Sequence, residues 1–122
     1  MVQTLSLNDV LQQFVSGTPN IQGAALVTSD GLPLSSMLPM SMDEERTAAM
    51  SAAMLSLGER IGKELTRGTI ERIVVEGDQG YSVMVSCGED IMLLVLADKQ
   101  VKQGLLFLEV KRIAAKLTSM VS

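Results

Sequence analysis

The chain has 122 residues, 47% of them apolar, and a net charge of -4; that length forms one domain over residues 1–122, with a core that buries roughly two-thirds of the unfolded surface. It contains no histidine and one cysteine, Cys87, which excludes intrachain disulfides, the usual zinc clusters and any Ser-His-Asp or Cys-His catalytic arrangement. The acidic balance, with Phe14, Tyr81 and Phe107 as the aromatic residues, argues against a nucleic-acid surface, and no apolar run approaches the roughly 20 residues of a membrane-spanning helix.

The opening Met1-Val2-Gln3-Thr4 lacks the basic start of a signal peptide, so a soluble, cytoplasmic protein is expected. Ser6 and Asp9 resemble a capping arrangement, and Leu7, Val10, Leu11 and Phe14 follow at helical spacing, predicting a first helix that ends near Val15. Ser16-Gly17-Thr18-Pro19-Asn20 breaks it. Gly23 to Ser29 then reads as a strand, Asp30-Gly31 as a hairpin turn, and Leu32 to Ser36 as an antiparallel return. Pro33 lacks an amide donor and assigns that return strand to an edge.

Met37-Leu38-Pro39-Met40-Ser41-Met42 is a methionine-rich loop, and Asp43 caps a second helix that runs to about Leu65. This helix has two faces. Met50, Ala53, Met54, Leu57, Ile61 and Leu65 form an apolar stripe, expected to cover the sheet; Ala48, Ser51, Ala52, Leu55, Gly58 and Gly62 form a small-residue face beside it. Glycine inside a helix costs about 1 kcal/mol relative to alanine, so Gly58 and Gly62 point to close backbone approach. The approaching element is either a second copy of the same helix or the first or third helix of this chain.

Ile70 to Glu76 reads as a strand rich in β-branched residues, Gly77 to Gly80 as a turn, and Tyr81 to Cys87 as a strand with Tyr81, Val83, Val85 and Cys87 on one face. Cys87 is expected as a small core residue, since neighbouring Glu89 and Asp90 oppose a reactive thiolate. Ile91 to Ala97 is apolar at all seven positions between two turn-forming clusters. That length suits a strand covered on both faces better than a buried helix. Leu106, Val110, Ile113, Ala114 and Leu117 give the buried stripe of a third helix. Its Lys111, Arg112 and Lys116 make either a solvated basic face or a contact for an acidic partner.

The first hairpin, Ile21-Gln22-Gly23-Ala24-Ala25-Leu26-Val27-Thr28-Ser29-Asp30-Gly31-Leu32-Pro33-Leu34, and the run Leu93-Leu94-Val95-Leu96-Ala97-Asp98 leading through Gly104 and Leu105 into the last helix resemble the Roadblock/dynein light chain family. The resemblance covers nearly the whole chain. It implies an α+β fold in the order α-β-β-α-β-β-β-α, related to longin and profilin-like domains. In that fold a five-stranded antiparallel sheet carries the middle helix on one face and the terminal helices on the other. Family members dimerise through the middle helix and adjoining strand, which assigns Ala48, Ser51, Ala52, Leu55, Gly58, Gly62, Ile70, Arg72 and Val74 to a homodimer interface. Such domains are similar to non-enzymatic regulators, without cofactor, that partner small Ras-like GTPases, some of them as activators of GTP hydrolysis.

Met37, Met40 and Met42 are the candidate partner contact, because methionine suits adaptable apolar surfaces. The alternative function is a structural adaptor in a motor or scaffold assembly without a GTPase. An enzyme or ligand sensor is disfavoured by the absence of histidine and of convergent polar residues. Gly77-Asp78-Gln79-Gly80 lacks the lysine and hydroxyl of a phosphate-binding loop, and Arg46, Arg60, Arg67 and Arg72 carry no motif marking one as a catalytic arginine.

Overall fold

Ser6 accepts from the Asp9 amide while the Asp9 carboxylate accepts from the Ser6 amide, and this reciprocal cap starts α1 (Leu7–Gly17). The computed structural model describes residues 6–121. After α1 come β1 (Ile21–Thr28), β2 (Pro33–Met37), α2 (Glu44–Glu64), β3 (Ile73–Gly77), β4 (Gly80–Ser86), β5 (Ile91–Asp98) and α3 (Gln103–Val121). The strands form one antiparallel sheet in the order β2-β1-β5-β4-β3. β5 is its central strand, and six consecutive residues from Met92 to Ala97 are buried there. An all-apolar strand is what a position covered on both faces requires.

Alternation distributes the strands between two cores. Tyr81, Val83, Val85, Leu93 and Val95 join Val10, Leu11 and Phe14 of α1 and Leu106, Val110, Ile113 and Leu117 of α3 on one face. Val27, Met84, Met92, Leu94 and Leu96 meet α2 on the other. The β3–β4 turn depends on Gly80, whose φ of 156° is paired with a backbone approach so close that a Cβ would strike the Ala97 carbonyl oxygen. β2 and β3 are the two edge strands. Among the described residues no helix is long and apolar enough to cross a membrane.

Three expectations require correction. α1 continues through Ser16, whose hydroxyl donates to the Gln12 carbonyl, to Gly17. β3 begins at Ile73 rather than Ile70, because Thr66 and Gly68 take positive φ and the chain tucks under the C-terminal end of α2 before it joins the sheet.

The third correction is the largest, since α2 is seated the other way round. Its small face lies on this chain's own sheet: Ala48, Ser51, Ala52 and Gly62 are buried, and Leu55 is half-buried against the same core. The sheet already fills this layer with Met84, Met92, Leu94, Leu96 and Val27, so the helix that covers it must contribute little volume of its own. Buried Ser51 is satisfied by donating to the Thr47 carbonyl at 2.8 Å. The close approach at the glycines is likewise internal. A Cβ on Gly58 would strike Ile73 Cδ1, and one on Gly62 would lie 2.8 Å from Ile70 Cδ1 and 2.9 Å from the Gly68 carbonyl oxygen.

Candidate partner interface

With its small face on the sheet, α2 turns its larger side chains to solvent. Asp43 accepts from the Arg46 amide at 2.9 Å and sets the start of the helix. From there Met50, Met54, Leu57, Ile61 and Leu65 recur at intervals of three or four residues, all exposed. The spacing makes them one continuous stripe more than three turns long. Met42, Met50 and Met54 also form one wall of a groove of about 560 Å³, whose floor and far side are Met84, Leu96 and Val75. The groove exists because α2 packs over the β1 side of the sheet and leaves the β4 and β3 side open.

Along that open side runs β3, hydrogen-bonded to β4 through Ile73 to Gly77 and, among the described residues, to no further strand. Its outer edge presents a row of backbone donors and acceptors, with Val74 and Val75 exposed beside it. The strand's end is tethered. Lys99 Nζ donates to Glu76 at 2.8 Å and lies 4.7 Å from the Tyr81 ring centroid, while Gln103 donates to the Tyr81 hydroxyl at 3.4 Å. The hydrogen bond and charge of Lys99 hold the Glu76 carboxyl below its usual range, and Glu76 in turn raises the Lys99 ammonium.

The residues assigned from sequence to a dimer interface are thus dispersed. Ala48, Ser51 and Ala52 lie beneath α2, and Gly58 and Gly62 face Ile73 and Ile70 of the same chain. Ile70 is half-buried there. Arg72 crosses to the opposite side of the sheet, its guanidinium carbon 4.0 Å from the Phe107 ring centroid. Val74 alone lies exposed at the free edge.

The loop methionines separate as well. Met37 packs against the α1 and α3 core, Met40 stands fully in solvent, and Met42 enters the groove. Sequence reasoning did not assign Met50, Met54, Leu57, Ile61, Leu65 or Val75 to an interface. The readable signal was the small face itself, which is the shape a helix needs to settle closely onto large side chains.

Several of the reactive groups among the described residues are engaged within the fold. Cys87 is buried, with its thiol pushed up to about 11 by desolvation. Among the described residues no group of three or more His, Cys, Asp or Glu is placed to hold a metal ion. Arg60 pairs with Glu64 at 3.7 Å, and Arg67 Nε donates to the Leu65 carbonyl at 2.9 Å. The arrangement offers an apolar, strand-bearing surface suited to another protein.

A family profile described as the Roadblock/LC7 domain matches residues 7–97. Two uncharacterised proteins of Methanocaldococcus jannaschii, MJ1340 and MJ0310, are each 41% identical over 103 residues, spanning 84% of this chain and 90% of theirs. Among solved structures, a Roadblock/LC7 domain from Streptomyces avermitilis superposes with a TM-score of 0.87 at 23% identity, covering 96% of this chain and 98% of that one. Myxococcus xanthus MglB gives 0.85 at 22% identity over 93% and 92% of the two chains. Profilin II of Acanthamoeba castellanii shares the fold more distantly, with a TM-score of 0.64 at 14% identity over 94% and 98%.

Proposed function

This chain belongs to the Roadblock/LC7 domain family, and on that footing we propose that it is a non-enzymatic homodimeric module that binds a small Ras-like GTPase and modulates its GTP hydrolysis. The observation that carries the dimer is the exposed stripe from Met50 to Leu65 running beside the unpaired edge of β3. Apolar side chains and free backbone groups on one side of the molecule are satisfied together when a second copy pairs its β3 antiparallel to the first and lays its α2 alongside. The dimer therefore uses the opposite face of α2 from the small-residue face.

The likeness in fold to MglB and the family's association with Ras-like GTPases support the choice of partner. Modulation of hydrolysis would act by repositioning groups of the GTPase, since Arg60 and Arg67 are paired within the chain and no motif marks Arg46 or Arg72 as a catalytic arginine. The test is a titration of the purified protein against its host's Ras-like GTPases, each loaded with GDP or with a non-hydrolysable GTP analogue. Binding confined to the GTP-like state supports the regulator. A failure to bind in either state, with the dimer intact, refutes it and leaves the structural adaptor.

A further inference from the structure

A second concave surface lies on the other face of the sheet. There α1 covers β1 and β2 while α3 crosses β5 and β4, and a trough of about 430 Å³ remains between α3 and the segment that leads into β3. Val85 and Ala114 contribute to its apolar lining, Leu108 and Lys111 come from α3, and Glu71 and Arg72 come from the opposite bank. Leu108 is 51% exposed and belongs to neither core. Its side chain borders the trough without being needed to hold the fold.

The charge of this trough runs against that of the chain. Arg72 is stacked on Phe107, which fixes the guanidinium plane while leaving N–H groups for an acceptor. Lys111 is exposed beside it, and neither cation has a carboxylate partner among the described residues. Among the described residues Glu71 is the one carboxylate in the lining, beside Arg72 and Lys111, so the trough carries a net positive charge in a chain of net charge -4. Glu109, on the same helix, is already taken by Arg112 at 3.3 Å.

We propose that this trough docks an acidic peptide segment of another protein, with an aliphatic or aromatic side chain seated between Val85 and Ala114 and carboxylates meeting Arg72 and Lys111. A stacked guanidinium and an exposed ammonium next to an apolar hollow suit a segment that alternates acidic and apolar residues, since each carboxylate gains a charge-assisted hydrogen bond and the anchor is removed from water. A peptide is favoured over an anionic membrane because the surface is concave and takes a side chain inward, whereas a bilayer meets a convex basic face. The trough lies on the face of the sheet that carries α1 and α3, whereas the exposed stripe of α2 proposed for the dimer lies on the other.

The test is selection of a displayed library of twelve-residue peptides on the immobilised full chain, with each enriched peptide then measured by fluorescence anisotropy. Two variants serve: Lys111→Glu, and Leu108→Ser combined with Lys111→Glu. Both positions are exposed, and unchanged circular dichroism melts establish that the fold is kept. The expected result is enriched peptides with at least two acidic residues around an apolar one. Binding should be tenfold or more weaker to the double variant and severalfold weaker when salt is raised from 50 to 300 mM, because the Debye length shortens from roughly 14 to roughly 6 Å. Absence of enrichment, enriched peptides without acidic residues, or equal affinity for the double variant would overturn the proposal. So would Lys111-dependent sedimentation with phosphatidylglycerol vesicles in the absence of peptide binding, which would assign the surface to a membrane.

Discussion

Replacing Leu57 and Ile61 together by serine should dissociate the proposed dimer without unfolding the chain. The two side chains are 50% and 46% exposed and take no part in either core, so about half of each remains to be covered by a partner. Complete burial of such a side chain is worth about 1.5–3 kcal/mol, which leaves about 1 kcal/mol for the half in question. In a two-fold dimer every substitution is made twice. The double variant therefore loses about 4 kcal/mol, close to a thousandfold in the dissociation constant, and somewhat less where neighbours on one helix face are coupled. Sedimentation velocity over a dilution series reads this constant, and circular dichroism reads the fold of the released monomer. A dissociation constant within threefold of the unsubstituted protein would refute the placement of the interface on this stripe. Met40→Ser, at a fully exposed position off the stripe, should leave the constant unchanged.

The remaining predictions concern the fold. Gly62→Ala should cost more stability than Gly58→Ala in denaturant titrations at fixed protein concentration. A Cβ at 62 meets the Gly68 backbone oxygen as well as Ile70, whereas at 58 it meets the movable end of Ile73, where the gain of about 1 kcal/mol in helix propensity can offset the shift; equal costs would count against the inward orientation of this face. Cys87 should shape stability in alkali. Its folded pKa is raised from 9.0 to about 11 by burial, so above pH 9 the unfolded state loses the thiol proton and the folded state keeps it. Stability is present in full below pH 9 and falls as pH rises towards 11, by on the order of 2 kcal/mol. The measurement is the difference in pH dependence between the native chain and Cys87→Ala, and parallel curves would contradict the assignment.

The sequence displayed most plainly those elements whose burial leaves a periodic trace. Ile91 to Ala97 had to be covered on both faces because no position in it is polar, and the alternation from Tyr81 to Cys87 divided the two cores correctly. Ser6, Asp9 and Asp43 marked helix starts because capping is local chemistry. What stayed hidden was the rotation of α2. Hydropathy favours burying Met54, Leu57 and Ile61, but the helix is seated by shape, and Ala48 and Ala52 fit where longer side chains would lift it off Leu94 and Leu96. The glycines did announce a close approach, with the wrong neighbour inferred, since Ile70 and Ile73 reach them only after the loop folds back. The Arg72–Phe107 contact joins residues from distant segments of the chain and has no signature in either.

The strand order also carries a history. β1 and β2 are made early and β3 and β4 later, yet the two hairpins touch through β5 alone, which is inserted between β1 and β4. Thr28 of β1 pairs with Ile91 and Ile21 with Ala97, so closing the sheet requires the ends of a long intervening stretch to meet before either core is sealed. Such non-local pairing slows folding relative to a bundle of local contacts. As the chain leaves the ribosome, α2 is complete and β1 lacks its inner neighbour until residues 91–98 emerge. Through that interval the small face of α2 has β1 and β2 to rest on but lacks Met92, Leu94 and Leu96, and the last strand synthesised is the one that turns two unfinished halves into a sheet.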